Sequence, residues 1–117
     1  MDKLDKIFKA LADKNRIRIL KLLEKKKMCV CELASVLGAT QPNVSKHLKK
    51  LKSAGLICDE QKGFWTNYLL CIPKDVYARA LLKNLRSWLN NDSLIKRDTE
   101  KAKTINRAKL CCKGKGK

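Results

Sequence analysis

Two short amphipathic segments joined by a glycine turn constrain the fold of this 117-residue chain more than any other feature of its sequence. The first segment predicts a helix over residues 31–37 that ends at Gly38. The second predicts a helix that Thr40 caps and that tolerates Pro42 in its first turn. The predicted buried stripe of this second helix consists of Val44, Leu48 and Leu51. A short helix, a tight turn and a second helix are typical of a helix-turn-helix.

The flanking segments predict further helices and one hairpin. Asp13 is a suitable N-terminal cap for a helix that follows it and lies before the helix-turn-helix. A still earlier helix has an apolar face formed by Leu4, Ile7, Phe8 and Leu11. Two strand-like runs, residues 56–60 and 64–71, are separated by a turn that contains Gly63 and predict a hairpin. A last long helix is predicted over residues 74–90, with apolar positions Val76, Leu81, Leu82, Leu85, Trp88 and Leu89. The expected fold is mainly α with a small β-hairpin, which is a winged helix-turn-helix.

The charge of the chain restricts its partners. Lys and Arg number 28 against 11 Asp and Glu, which gives a net charge of +17. A compact domain with this charge favours a polyanion, either nucleic acid or an anionic membrane surface. The sequence has no run of about 18 apolar residues, the length that a spanning helix needs. The alternating charges of residues 1–6 do not resemble a signal peptide. We therefore expect a cytoplasmic protein that does not enter a membrane.

A change in composition near residue 95 predicts two regions. Residues 1–95 are expected to form one domain for DNA binding and dimerisation. Residues 96–117 hold nine basic and two acidic residues, together with the pair Cys111 and Cys112. This tail is expected to be either a helix extension or a disordered segment.

The polar face of the second helix of the pair predicts the contacts with DNA. Glutamine and asparagine pair bidentately with adenine, and lysine reaches guanine or phosphate. The N-terminal turn of such a helix usually meets the base edges. The candidate base readers are therefore Gln41, Asn43, Ser45 and Lys46. Lys49 and Lys50 are expected to hold phosphates, and Lys62 and Thr66 of the wing to contact the backbone or the minor groove.

Several motifs resemble the ArsR/SmtB family of metal-sensing repressors. The matching stretches are residues 8–13, 16–20, 29–33, 44–48 and 54–56, followed by Lys62, Gly63 and Tyr68. The resemblance implies a winged-helix homodimer with its first and last helices at the dimer interface. It also implies a repressor that occupies an imperfect inverted repeat in double-stranded DNA and leaves it when an inducer binds. It would place Leu85, Trp88 and Leu89 at the interface, whereas their spacing alone favours the core.

Cys29 and Cys31 are the candidate sensing residues. They open the predicted third helix, and a helix N-terminus favours the thiolate, the form that binds soft ions. Two cysteines at this spacing share one ion only if Cys29 lies just outside the helix or the first turn distorts. The motif is similar to that of arsenic-sensing family members, and Cys111 and Cys112 are the candidates for further metal ligands. We expect a repressor that binds DNA without a cofactor and dissociates when arsenite or antimonite binds its thiolates.

The same cysteines and lysines are also compatible with other functions. Four thiolates would also suit Cd(II), Pb(II) or Zn(II), and a reversible link between two cysteines would make a thiol redox or sulfur sensor. A lysine-rich coat on DNA without sequence preference is a further possibility. An enzyme is not expected, since the chain shows no Ser/His/Asp set and no phosphate loop. Cys58 and Cys71 are interpreted as small buried hydrophobic side chains, and His47 as a packed side chain with a local hydrogen bond.

Overall fold

The computed structural model describes residues 1–105. Within this range the chain forms six helices and a hairpin. In chain order these are α1 (Asp2–Leu11), α2 (Lys14–Leu23), α3 (Val30–Leu37), α4 (Gln41–Ser53), β1 (Ile57–Lys62), β2 (Trp65–Leu70), α5 (Val76–Leu85) and α6 (Ser93–Lys103). The helix-turn-helix and the wing are confirmed, and the expected fold class is correct. No helix in residues 1–105 is long and apolar enough to cross a bilayer.

Local capping fixes the starts and ends of the central helices. The Asp13 carboxylate accepts hydrogen bonds from the backbone N–H groups of Asn15 and Arg16, at 2.8 and 3.2 Å, and so caps α2. The Thr40 hydroxyl accepts one from Asn43 at 3.3 Å and caps α4. Gly38 ends α3 in the left-handed conformation, with φ of 68°, which a residue without a Cβ adopts at little cost. The tight turn between α3 and α4 is thus set by its own residues.

The core lies where α2, α3 and α4 meet beneath the hairpin. Its most completely buried side chains include Ile19, Leu20, Leu33 and Leu56. The predicted stripe of α4 is confirmed, since Val44, Leu48 and Leu51 are all buried. Because this stripe is held on the core, the opposite face of α4 is turned to solvent.

The hairpin is antiparallel and pairs Ile57 with Leu70 and Lys62 with Trp65. Gln61 and Lys62, expected in the turn, therefore belong to β1, and the turn consists of Gly63 and Phe64. Gly63 has φ of 62°, as a two-residue hairpin turn requires. A short bridge between Met28 and Tyr68 ties the segment before α3 to the wing.

The expectation of one long helix over residues 74–90 is wrong. Helix α5 ends at Leu85, and α6 begins at Ser93 behind an Asp92 cap that accepts from Leu94 at 2.9 Å. The run of polar residues 90–93 has side chains that compete with helical hydrogen bonding and favour caps and turns. Trp88 and Leu89, between the two helices, are 51% and 41% exposed, so the expectation that they belong to the core is also wrong.

Helix α6 packs on α2 and crosses the expected division at residue 95. Arg18 donates two hydrogen bonds to the Asp98 carboxylate, from Nε to Oδ2 and from Nη2 to Oδ1, each at 2.8 Å. The Arg18 side chain is 13% exposed and that of Asp98 is 3% exposed. The hydrogen bond to Asp98 raises the pKa of Arg18 above its ordinary value. Lys21 of α2 supports the same region by donating to the Leu85 carbonyl at 2.9 Å.

Cys58 and Cys71 form a disulfide, so their interpretation as two separate buried hydrophobic side chains is wrong. Cys58 lies in β1, and Cys71 is the first residue after β2. The strand register brings their Cα atoms to 5.3 Å, within the range that a disulfide spans. Sequence spacing did not give this distance because it depends on where the hairpin turns.

Replacing Asp13 by alanine is expected to lower the free energy of unfolding by about 1 kcal/mol at pH 7, the usual effect of losing an N-cap. Burial raises the Asp13 pKa, but the Arg16 and Asn15 backbone hydrogen bonds and the charge of His47 lower it more, to below its ordinary value of 3.8. A lowered folded-state pKa means that the stabilisation is complete above pH 3.8 and is lost as the pH falls through the folded-state pKa.

Urea unfolding of the wild type and D13A at pH 7 and pH 3 measures this effect. The difference between the two proteins should shrink at the lower pH. The exposed Asp2, replaced by alanine, serves as the matched control and should change stability little at either pH. A difference for D13A that is the same at both pH values would contradict the prediction.

Candidate DNA interface and thiol site

The solvent face of α4 carries the predicted DNA-contacting residues together. Six of the eight predicted residues lie exposed on this one helix: Gln41, Asn43, Ser45, Lys46, Lys49 and Lys50. The Thr40 cap and the buried stripe fix which face they occupy. The helix therefore presents amide, hydroxyl and ammonium groups side by side, the groups that read base edges and neutralise phosphates.

The wing presents its predicted residues less uniformly. Lys62 is exposed at the end of β1. Thr66 is half-buried, and its hydroxyl donates to the Gln61 side chain at 2.8 Å, so it is engaged within the wing itself. Sequence reasoning did not single out Phe64, which is 87% exposed in the turn. Its position directly after Gly63 was the available signal, since a hairpin tip is normally polar.

His47 packs at the edge of the buried stripe of α4, as the sequence suggested. The Arg16 guanidinium donates to His47 Nδ1 at 3.3 Å and to the carbonyl oxygens of Ala10 and Lys9, at 2.7 and 3.1 Å. Arg16 thus joins the end of α1, the start of α2 and the side of α4. His47 thus packs as expected, but its hydrogen-bond partner is Arg16, 31 residues earlier, and not the local partner that was predicted.

Cys29 lies at the N-cap of α3 with extended backbone angles, just outside the helix. Its backbone N–H donates to the Glu32 carboxylate at 2.9 Å, and the two residues form a capping box. Cys29 is buried and Cys31 is half-buried, and neither forms a disulfide within residues 1–105. Two cysteines at this spacing were expected to share one ion only if Cys29 lay just outside the helix, and its N-cap position meets that condition.

A side-chain contact links Cys31 directly to the recognition face. The Gln41 amide donates from Nε2 to Cys31 Sγ, and the two atoms lie 3.4 Å apart. Gln41 is the first residue of α4 and a predicted base reader. Sequence reasoning treated the two residues separately, and their ten-residue separation across the Gly38 turn gave no periodic signal. The same glutamine can therefore face the thiol or turn toward DNA.

The segment before α3 is also coupled to the wing. Met28 and Tyr68 exchange backbone hydrogen bonds, with N–O distances of 3.2 and 2.8 Å. Burial and the Asp59 carboxylate raise the pKa of Tyr68 above its ordinary value. Because Cys29 follows Met28 in the chain, it lies between this bridge to β2 and the first turn of α3.

The described residues supply only part of the predicted metal site. Among residues 1–105, no group of three or more His, Cys, Asp or Glu side chains is arranged to hold a metal ion. Cys111 and Cys112, the expected further ligands, lie outside the described residues. Within residues 1–105, Cys29 and Cys31 therefore provide two sulfur atoms, fewer than the three ligands that a group able to hold a metal ion needs.

A helix-turn-helix followed by an antiparallel wing defines the class of winged helix-turn-helix DNA-binding proteins. The model of bacterial regulatory proteins of the arsR family matches residues 13–58. An arsenic resistance transcriptional regulator of Pseudomonas putida is 38% identical over 93 residues, which cover 75% of this chain and 73% of that protein. This chain belongs to the arsR family of transcriptional regulators.

Two further comparisons agree with this assignment. The arsenical resistance operon repressor of Escherichia coli is 43% identical over 65 residues, which cover 55% of this chain and 56% of that protein. The solution structure of a homodimeric winged helix-turn-helix domain from Mycobacterium bovis, described as a possible ArsR-family regulator, matches with a TM-score of 0.62. It is 27% identical and the match covers 73% of this chain and 76% of that one.

Replacing Lys49 and Lys50 together by alanine is expected to weaken binding to every DNA sequence. The log of the affinity should also fall less steeply with the log of the salt concentration, the slope being smaller in magnitude by about two. The reason is that each lysine that neutralises a phosphate releases about one counterion. Fluorescence anisotropy between 50 and 300 mM salt measures the slope. Lys83 and Lys96 of α5 and α6 provide a control of equal charge, and their double alanine variant should retain the wild-type slope. Equal slopes for the two double variants would contradict a phosphate role for Lys49 and Lys50.

Proposed function

We propose that this repressor binds double-stranded operator DNA as a homodimer and dissociates when trivalent arsenic or antimony binds Cys29 and Cys31. The observation that carries the proposal is the contact between Cys31 Sγ and the Gln41 amide, which joins the thiol pair to the first residue of the recognition helix. The arsenic resistance named in the relatives supports the choice of ion.

The chemistry of the site follows from its thiols. Each thiol that binds arsenite replaces one hydroxyl group on arsenic, and the thiol proton leaves with that hydroxyl as water. Cys29 lies at the N-cap of α3 and Cys31 in its first turn, so both sulfur atoms belong to the start of the same helix. Cys111 or Cys112, from the same or the partner subunit, supplies the third ligand in this proposal.

Loss of DNA affinity follows from two displacements. The arsenic atom that replaces the Cys31 thiol hydrogen brings its other ligands next to the sulfur that the Gln41 amide now contacts, so the Gln41 side chain is expected to move aside. An arsenic atom on Cys29 is expected to displace the residue from the capping box that starts α3. The same displacement would disturb the adjacent bridge between Met28 and β2. Both changes act on the elements that carry the recognition face and the wing. A coupling of about 1–3 kcal/mol is typical for such linked sites.

The dimer brings two recognition helices to one operator. Exposed apolar side chains lie on α1 and around α5, and they are Phe8, Val76, Tyr77, Trp88 and Leu89. They include Trp88 and Leu89, two of the residues that the family resemblance places at the interface, and burying them in a partner would remove apolar surface from water. Two-fold symmetry of the dimer then matches an imperfect inverted repeat.

Fluorescence anisotropy of the reduced protein on its own upstream DNA, with and without arsenite, tests the proposal. Release at micromolar arsenite is the expected result, and a scrambled duplex of equal length is the control. Binding that is unchanged by arsenite and antimonite would overturn the choice of ion. Equal affinity for the scrambled duplex would overturn operator recognition and favour nonspecific coating.

Thiolate ligands also suit Cd(II), Pb(II) and Zn(II), and these ions are the second candidate. Ultraviolet titration of thiolate-to-metal absorption, read together with DNA release, separates them from arsenite. Release by Cd(II) alone at comparable concentrations would replace arsenite by cadmium while leaving the repressor role intact.

A further inference from the structure

A second pair of cysteines lies at the base of the wing. Cys58 of β1 and Cys71, directly after β2, are joined as a disulfide whose Cα atoms lie 5.3 Å apart. The Cys71 backbone N–H donates to the Leu56 carbonyl at 3.1 Å, which extends the strand pairing by one residue beyond the pair of Ile57 and Leu70. The cysteines are therefore held together by backbone hydrogen bonds as well as by their own bond. The hairpin keeps the two thiols adjacent when that bond is reduced.

The pair opens onto a cleft that small molecules can enter. The cleft has a volume of about 450 Å³, and both cysteines are among its lining residues. Lys3 and Lys6 of α1 and Lys74 line it too, as do residues 53–55 at the end of α4. Cations close to a thiol favour the thiolate, the form that attacks peroxides and disulfides. Three lysines against the single carboxylate of Asp75 leave the lining positively charged, so the cleft combines access, positive charge and two adjacent sulfur atoms.

The compartment decides how such a bond behaves. A transcriptional regulator works where the DNA is, among reductants that keep most thiols free. Disulfides in that setting are usually transient and catalytic or redox-sensing. A permanent structural bond is not needed here, since the Ile57 to Lys62 ladder already pairs six residues with β2.

We propose that Cys58 and Cys71 are a reversible dithiol–disulfide site that is oxidised by hydrogen peroxide and reduced by a cellular dithiol. We further propose that oxidation fixes the base of the wing and raises the affinity for DNA. The second statement rests on the proposed DNA-binding role, whereas the first does not.

The reaction balances with peroxide as the oxidant. One cysteine thiolate attacks an oxygen of hydrogen peroxide, the O–O bond breaks, and the products are a sulfenic acid and, after protonation, one water. The second thiol then attacks the sulfenic sulfur, forms the S–S bond and expels a second water. In total, two thiols and one peroxide give one disulfide and two waters. A dithiol reductant reverses the change by thiol–disulfide exchange and leaves as its own disulfide.

The bond acts on the wing through its position. It ties β1 to the segment that leads into α5, next to the end of recognition helix α4. On reduction the strand ladder and the hydrogen bond between Cys71 and Leu56 remain, so the wing keeps its fold but gains freedom at its base. Fixing a binding element in advance lowers the entropy lost on association. The oxidised form should therefore bind DNA more tightly.

Peptide mapping tests the chemistry. The reduced full-length protein is treated with hydrogen peroxide, alkylated and digested with trypsin, which separates Cys58 in residues 53–62 from Cys71 in residues 63–74. A cross-linked pair of these two peptides that disappears after dithiothreitol is the expected result. Alkylated or sulfinic Cys58 and Cys71 after peroxide, or links to other cysteines instead, would overturn the site.

DNA binding tests the consequence. Anisotropy on the upstream duplex should give an affinity about fivefold higher for the oxidised than for the reduced wild type, which is the lower end of couplings between linked sites. C58S and C71S should each show one affinity under both conditions, and C31S should keep the wild-type redox response. Circular dichroism checks that the variants fold. Equal affinities for the two wild-type forms, or a response that persists in C58S and C71S, would overturn the link to the wing.

The same variants separate this proposal from the arsenite response. A C58S/C71S protein that is still released by arsenite, while lacking the peroxide effect, supports two independent sites. A C31S protein that loses the arsenite response but keeps the peroxide effect also supports two independent sites. Loss of both responses in C58S/C71S would overturn their independence.

Discussion

Replacing Asp98 by alanine is expected to lower the free energy of unfolding by about 3–5 kcal/mol, the range found when one partner of a buried ion pair is removed. Asp98 is 3% exposed and receives two hydrogen bonds of 2.8 Å from Arg18. The variant leaves the largely buried Arg18 guanidinium with Asn15, at 2.9 Å, as its one remaining side-chain partner within residues 1–105. Helix α6 would lose its charged anchor on α2.

Urea unfolding at fixed protein concentration measures the loss, because the stability of a dimer depends on concentration. The exposed pair of Lys103 and Glu100, also on α6, provides a control, and E100A should change stability by less than about 1 kcal/mol. A double variant, R18M/D98L, removes both charges and should be more stable than D98A alone. A loss for D98A no larger than that for E100A would contradict the anchoring role.

Replacing Cys31 by serine is expected to abolish release from DNA by arsenite. Wild-type affinity should fall by about 5- to 150-fold on arsenite binding, the range that corresponds to typical coupling between sites. The C31S affinity should change by less than about twofold, because a hydroxyl does not replace a thiolate as a ligand for a soft ion. C29S should behave in the same way.

The Gln41 contact allows a sharper version of this experiment. Gln41→Ala removes the link to Cys31 but leaves both thiols, so it should retain arsenite binding, measured by ultraviolet titration, while the change in DNA affinity becomes smaller. Asn43→Ala, in the same helix turn, is the matched control and should retain the wild-type ratio. Experiments in a C58S/C71S background exclude arsenite binding at the wing. Full arsenite release in C29S and C31S would refute the assigned site.

Much of the candidate DNA interface could be predicted because its signals are local. The caps at Asp13 and Thr40 and the stop at Gly38 depend on residues within one turn. The stripe of Val44, Leu48 and Leu51 depends on helical periodicity alone. These features decide which face of α4 is exposed, and so the sequence predicted the exposed face without knowledge of the rest of the fold.

The end of the helical region was predicted less well, and the reason is also physical. Apolar spacing through Trp88 and Leu89 favoured one long helix, whereas α5 ends at Leu85 and Asp92 caps a separate helix. Helix α6 itself has a weak apolar pattern, and its attachment depends on Asp98 meeting Arg18, 80 residues earlier. No local pattern in the sequence indicates a partner at that distance.

The sequence by itself determined the order of the elements from α1 to β2, the face of α4 that is turned to solvent, and the start of α3 at which Cys29 and Cys31 lie. Only the tertiary structure decided that Gln41 reaches Cys31, that Cys58 meets Cys71, and that Arg18 holds Asp98. The physical reason is that caps, turns and periodicity involve neighbours in the chain. Contacts between side chains on different elements depend on how the whole core packs, and the core fixes them only after the chain has folded.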